Sequence, residues 1–276
     1  MKRICLVFFI CLVQLSFAQQ PPKPSAVEIF ETIKKLNFFG NIMYVAAHPD
    51  DENTRLIAYF SKHYHAHTTY ISLTRGDGGQ NLLGADLNEK LGIIRTQELL
   101  AARKIDGGHQ LFTRAIDFGY SKNPDEALST WNKNEVLADL VFAIRKNKPD
   151  IIVNRFDHRT PGTTHGHHTA SAILAMQAFD LSANKNAFPE QLKLVEPWQP
   201  QAIYFNDSWF FYINREAFQN ANHEQHLAIN MGEFYPDIGL HNSEIAALSR
   251  SMHKSQGFGN TGTRGDQIEY LELLKG

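Results

Sequence analysis

Asn41–Glu52 reads NIMYVAAHPDDE, an apolar run of strand character that breaks into a histidine, a proline and three carboxylates. Pro49 restricts His48 to extended backbone, so the chain leaves the strand in a set direction. A helical pattern follows from about Asp51 to Lys62, and TTYISLT (Thr68–Thr74) reads as a second strand ending in the glycine-rich turn RGDGGQN. Strand, helix and strand predict a right-handed βαβ unit.

Working outward, the alternation continues with a helix from about Asn88 to Lys104, a weaker strand near Gln110–Phe118 and a helix from about Asn134 to Asn147. The buried-looking strand DIIVN (Asp150–Asn154) comes next. This order predicts an α/β fold, a Rossmann-like, mostly parallel sheet with helices on both faces. Beyond Ser182 the pattern becomes irregular, and the chain ends in YLELLKG, a helix-like phrase.

The 276 residues, 43% hydrophobic, suffice for one sizeable α/β domain. Met1–Ala18 has a basic start, an apolar run too short and too early to span a bilayer, and small Ser16 and Ala18. It predicts a signal peptide cleaved after Ala18, a secreted or periplasmic location and no stable membrane insertion afterwards. Residues 19–26 form a Pro-rich linker, and the domain spans 27–276, either alone or as the N-terminal part of a longer protein.

Both cysteines, Cys5 and Cys11, lie in the predicted leader, which leaves His, Asp and Glu as the ligands for any transition metal. Loss of Lys2 and Arg3 takes the basic residues from 27 to 25 against 29 acidic ones, a net charge of −4. Such a surface does not favour a nucleic-acid partner.

Open parallel sheets place ligands beyond the carboxyl ends of their strands. HPDDE stands at one such end. After strand Asp150–Asn154 comes the loop RFDHRTPGTT, then HGHH (His165–His168), then a helical pattern. If that helix starts near Gly166, then His168, Ala172, Ala175, Met176 and Phe179 share a stripe facing the sheet. His48, a carboxylate and His168 can then meet at one point, and two imidazoles with one carboxylate are the open pattern of catalytic zinc. Asp50 and Asp51 point different ways and can divide metal binding from proton transfer. Each motif alone also has a plain reading: Asp50 or Asp51 as a helix N-cap with Glu52 on the helix dipole, and HGHH as a solvated turn. Together, each between a strand and a helix, they predict a metal site.

Over Asn41–Gln256 the sequence resembles the PIG-L or LmbE-like zinc-dependent N-deacetylases. The resemblance rests on AHPDDE (Ala47–Glu52), TRGDGGQN (Thr74–Asn81), RTQEL (Arg95–Leu99), HGHH and HKSQ (His253–Gln256). It implies His48, Asp51 and His168 as ligands of zinc or another divalent ion, Asp50 as general base and His165 as electrophile or general acid. A protonated His165 is expected to stabilise the oxyanion or protonate the leaving amine. Arg95 is implied to reach sugar hydroxyls. His167 departs from the family, which often has Asp there. The implied reaction removes an N-acetyl group from an N-acetylglucosamine-type sugar, whether a small molecule or a glycan. The alternatives are a zinc amidase acting on a thiol-sugar conjugate or other acyl amine, and a sugar- or metal-holding module without turnover.

Three minor features complete the reading. HYHAH (His63–His67) is a solvated helix-to-strand connection rather than a surface metal site. The glycines of RGDGG lack the Lys-Ser/Thr of a P-loop and let a turn lie close to the pocket rim. Trp131, Trp198 and Trp209 are core or rim residues first and sugar platforms second.

Overall fold

The computed structural model describes residues 23–276, so the signal-peptide reading and the start of the linker lie outside the described residues. Ser25 caps α1 (Ala26–Lys35) through a capping box with Glu28. The chain then alternates as predicted: β1 (Asn41–Ala46), α2 (Thr54–Lys62), β2 (His67–Ser72), α3 (Glu89–Asp106) and β3 (His109–Phe112). Next come α4 (Pro124–Thr130), α5 (Lys133–Asn147), β4 (Ile151–Asn154) and α6 (Gly166–Leu181). The remainder holds β5 (Ala202–Asp207), α7 (Arg215–Gln219), β6 (Leu227–Asn230), a small hairpin β7 (Phe234–Tyr235) and β8 (Leu240–His241), α8 (Asn242–Arg250) and β9 (Ile268–Lys275).

Seven strands form one sheet in the order β3-β2-β1-β4-β5-β9-β6, with β1 to β5 parallel. Period-two alternation in β1 explains the two covered faces. Met43 and Val45 pack into a cluster with Leu140, Ile144 and Ala175 of α5 and α6, whereas Tyr44 and Ala46 pack with Leu56 and Ile57 of α2. Each of the buried Met, Val, Leu and Ile side chains among them contributes roughly 1.5–3 kcal/mol. The chain runs outward from β1 to β2 and β3, then returns to β4 on the other side of β1. The carboxyl ends of β1 and β4 therefore bound a crevice at the reversal of strand order.

Two readings need correction. The terminal YLELLK is a strand, not a helix: β9 inserts antiparallel between β5 and β6. Leu, Glu and Lys favour helix locally, but β5 would otherwise expose an unpaired edge, and period two buries Glu269 and Leu271 on one face. The strand predicted over Gln110–Phe118 ends at Phe112. There Thr113 Oγ donates to Leu73 O and accepts from Ala115 N, turning the chain off the sheet and carrying Asp117 back to the crevice.

Candidate metal centre

His48 leaves β1 two residues after its end and is 8% exposed. The turn after it closes when Asp51 Oδ2 accepts from His48 N (2.7 Å) while Asp51 N donates to His48 O (3.2 Å). Tyr70 Oη of β2 donates to the same His48 carbonyl. Asn53 then caps α2, accepting from the amides of Arg55 and Leu56, so neither Asp50 nor Asp51 is used as the cap.

The second half comes from α6. His165 is its N-cap, with Nδ1 accepting from His167 N at 3.0 Å. Gly166 lets the helix start abut residues 121–123: its N–H donates to Ser121 O, and a Cβ there would lie 2.1 Å from Ser121 Oγ. His168, in the first turn of the helix, stacks flat on Phe156 with ring centroids 3.8 Å apart.

The two halves meet around Asp51. Its Oδ2 lies 3.0 Å from His48 Nδ1 and its Oδ1 3.4 Å from His168 Nε2, and the donor atoms of the three residues all lie within 4.8 Å of one another. Donors bound to one zinc ion at about 2.0–2.2 Å sit at such separations. Burial by itself would raise the pKa of Asp51, but His168 and His48 outweigh it and hold the carboxyl well below the usual carboxylate range. The donor set is thus an anion with two imidazoles, and it fits a divalent transition metal. His48 Nε2 lies 3.1 Å from His167 Nδ1; donation along that contact leaves Nδ1 as the lone pair facing Asp51.

His167, where the sequence departs from the family, is fully buried among Phe118, Trp131 and His165. Burial, then His48, pushes its pKa down to about 2. The carboxylate near it comes instead from Asp117, whose Oδ1 is 3.6 Å from His167 Nδ1 and whose Oδ2 is 3.9 Å from His48 Nε2. Nothing in the sequence around Asp117 marked it.

Asp50 lines a cleft of about 550 Å³ together with Asp51, Arg155, His168, Trp209 and Phe210. Arg95 of α3 is 3% exposed; it donates through Nη2 to Asp50 Oδ1 and through Nη1 to Gly76 O at 3.1 Å. The structure therefore places Arg95 beneath Asp50 rather than at the cleft surface where sugar hydroxyls would meet it. The glycine-rich turn makes room for this guanidinium: at Gly76, with φ +68°, a Cβ would stand 2.3 Å from Arg95 Nη1.

His165 does not line the cleft; its ring lies edge-on to Tyr120, 5.2 Å from the His48 ring. Burial, then His48 and His168, pushes its pKa down to about 4. The expected protonated state is therefore corrected: at neutral pH His165 is an uncharged imidazole, and because Nδ1 accepts from His167 N, its Nε2–H is the donor.

The other motifs support the site from behind. Glu52 is buried and accepts from His253 Nε2 (2.8 Å) and Arg103 Nη2 (3.3 Å). Arg103 also reaches Asp106, which accepts from Ser249 of α8. Glu98 of RTQEL accepts from Ser255 N and Oγ of HKSQ, both at 2.7 Å. Of the tryptophans, Trp131 is buried and Trp198 half-buried against the core, with Nε1–H on Ile116 O and Pro149 O, and Trp209 stands on the cleft wall. In HYHAH, His63 stacks on Tyr59 and His67 on His109, a connection between α2 and β2.

Residues 43–179 match the PIG-L family, described as GlcNAc-PI de-N-acetylase. The mycothiol S-conjugate amidase of Streptomyces coelicolor is 26% identical over 181 residues, 61% of this chain and 61% of that protein. The 1D-myo-inositol 2-acetamido-2-deoxy-alpha-D-glucopyranoside deacetylase of Thermobispora bispora is 29% identical over 180 residues, 59% of this chain and 57% of that protein. The matches span about three fifths of the length of these relatives. Among solved structures, N,N'-diacetylchitobiose deacetylase from Pyrococcus horikoshii superposes with a TM-score of 0.54 at 17% identity, covering 86% of this chain and 82% of that one. The 4-carboxy-2-hydroxymuconate hydratase from Pseudomonas putida KT2440 does so with a TM-score of 0.54 at 15% identity, covering 87% and 97%. A deacetylase and a hydratase thus share the fold, and activity has to be argued from the site.

Proposed function

The chain carries a PIG-L domain over residues 43–179, and from that premise we propose that it is a secreted, zinc-dependent hydrolase that removes the N-acetyl group of an N-acetylglucosamine-type sugar. The observation that carries the reading is the meeting of His48, Asp51 and His168 beside a second, unliganded carboxylate on the cleft, that of Asp50. His48, Asp51 and His168 would hold the metal. A divalent ion there supplies Lewis acidity to an acyl oxygen and lowers the pKa of water from about 15.7 toward roughly 7.

The chain's own groups do the rest. Asp50, oriented by the Arg95 guanidinium behind it, accepts the proton of the attacking water and returns it to the amide nitrogen as the C–N bond breaks, so that acetate and a free amine leave. His165, whose ring stands 5.2 Å from those of both His48 and His168, would approach from the ligand side rather than from the cleft wall and donate its Nε2–H to the oxyanion as that charge forms, a contribution of ~2–4 kcal/mol by analogy with oxyanion-hole donors. As a neutral donor it needs no proton uptake before each turnover. Trp209 and Phe210 offer aromatic faces for a sugar ring on the cleft wall. Export would follow from the leader-like Met1–Ala18.

The deciding experiment is Asp50→Asn in the purified protein, with acetate release from N-acetylglucosamine glycosides and zinc content measured together. We expect zinc retained and turnover lowered by ~10²–10⁴-fold; full activity removes Asp50 from this role. The similarity to a mycothiol S-conjugate amidase favours one second reading, cleavage of an acylated glucosaminyl thiol conjugate by the same groups. Amine release compared across the two substrate classes separates them.

A further inference from the structure

We propose that Asp207, His223 and His226 form a second transition-metal site, separate from the first, which staples the segment forming one wall of the cleft. Asp207 ends β5, and the two histidines lie between α7 and β6. The donor atoms of the three residues lie within 4.8 Å of one another. Asp207 Oδ2 is 3.5 Å from His223 Nδ1 and 3.7 Å from His226 Nε2. Both separations are too long for good hydrogen bonds. They are close to the roughly 3.4 Å between two donors bound tetrahedrally at about 2.0–2.1 Å to one zinc ion.

The surroundings are arranged as they are around metal-binding histidines. His223 donates its Nε2–H to Phe218 O at 2.9 Å, which leaves Nδ1 as the lone pair. That Nδ1 is buried and has no hydrogen-bond partner, although the His223 side chain is only 9% exposed. Its ring is held flat against Tyr270 of β9, centroids 4.1 Å apart. The Asp207 side chain is 5% exposed, and Tyr212 Oη orients it by donating to Oδ2 at 2.9 Å. No arginine or lysine is ion-paired with Asp207 among the described residues. A buried carboxylate that faces the lone pair of His223 Nδ1 and, at 3.7 Å, His226 Nε2 is a seat that a divalent ion would fill. Two imidazoles with one carboxylate suit zinc, cobalt(II) or nickel(II), with solvent completing the sphere.

The consequence is mechanical. Asp207 precedes the segment that carries Ser208, Trp209 and Phe210 on the cleft wall, and His223 and His226 follow it. An ion bridging the three closes that loop at its base.

The test is metal stoichiometry. The purified full chain is stripped with a chelator, reloaded with zinc, desalted and assayed for metal per chain. We expect two ions in the wild type, one in His223→Gln/His226→Gln and one in His48→Ala/His168→Ala. The zinc-loaded wild type should also resist proteolysis between residues 208 and 226 more than the His223→Gln/His226→Gln variant does. A folded His48→Ala/His168→Ala protein that holds no ion overturns the site, as does a folded His223→Gln/His226→Gln protein that holds as many ions as the wild type. Because His48→Ala/His168→Ala reports on the second site alone, failure of the first metal reading leaves this result intact.

Discussion

Arg95 donates to the carboxylate of Asp50 from below, across the glycine-rich turn, and both residues come from motifs separated by more than forty positions. The guanidinium is buried and its Nη1 is tied to Gly76 O, so Asp50 is held by a fixed charge rather than by a mobile surface side chain.

Removing that charge should affect turnover before metal binding. A hydrogen bond to a charged group contributes ~1.5–3 kcal/mol, so Arg95→Ala is expected to lower kcat by roughly 10- to 150-fold at unchanged zinc content. Wild-type kcat in the variant would detach Arg95 from the chemistry.

Gly76→Ala should act through Arg95. The added methyl would stand 2.3 Å from Nη1 at a backbone φ of +68°, costing about 1–3 kcal/mol of stability and displacing the guanidinium. In an Arg95→Ala background the substitution should lower kcat no further, because the group it displaces is gone. A full additional loss in the double variant would point to a direct role for the turn.

The buried Glu52 should be structural. It serves both His253 and Arg103, so Glu52→Leu strands two buried donors and is expected to cost ~3–5 kcal/mol in urea unfolding. His253→Leu leaves Glu52 its Arg103 partner and should cost less. Equal losses from the two variants would contradict this arrangement.

The buried imidazoles predict a pH dependence in protein freed of metal by chelation. His165 and His167 have pKa values pushed down to about 4 and about 2 in the folded chain, against about 6.5 when unfolded. As pH falls through 6.5 the unfolded chain takes up protons first, so their contribution is complete above about 6.5 and declines toward 4 and then 2. His48 runs the other way: burial would lower its pKa, but Asp51 and Asp117 raise it, so its contribution is full at low pH and fades as pH rises above 6.5. The stability difference between wild type and His167→Gln isolates one imidazole, and it should shrink as pH drops below 6.5. A difference that stays flat would mean that His167 does not titrate with the expected depression.

The parallel half of the sheet and the two turns HPDDE and HGHH at its carboxyl ends were legible because each rests on local signals. The apolar runs of β1 and β4 are continuous, as fully covered parallel strands require, and HPDDE and HGHH follow them directly. Arg95 was found as a residue but not in its place, since nothing in RTQEL says that its guanidinium turns under the RGDGG loop. Asp117, His223 and His226 were missed altogether. Each stands in a loop of ordinary composition, and only the packing of other elements gives it a partner. The terminal strand was misread because Leu, Glu and Lys carry helical preference, while the pairing edge that recruits them belongs to β5, more than sixty residues earlier.

Sequence by itself determined the strand–helix alternation of the parallel half, the positions of the histidines and carboxylates along the chain, and the direction in which His48 leaves its strand, because these follow from periodicity and from the restricted backbone before proline. Tertiary structure decided which carboxylate meets which imidazole, which histidine stays uncharged, and where Arg95 spends its charge. Those outcomes depend on distances of a few ångströms and on exclusion of water, and both arise only once segments far apart in the chain are packed together.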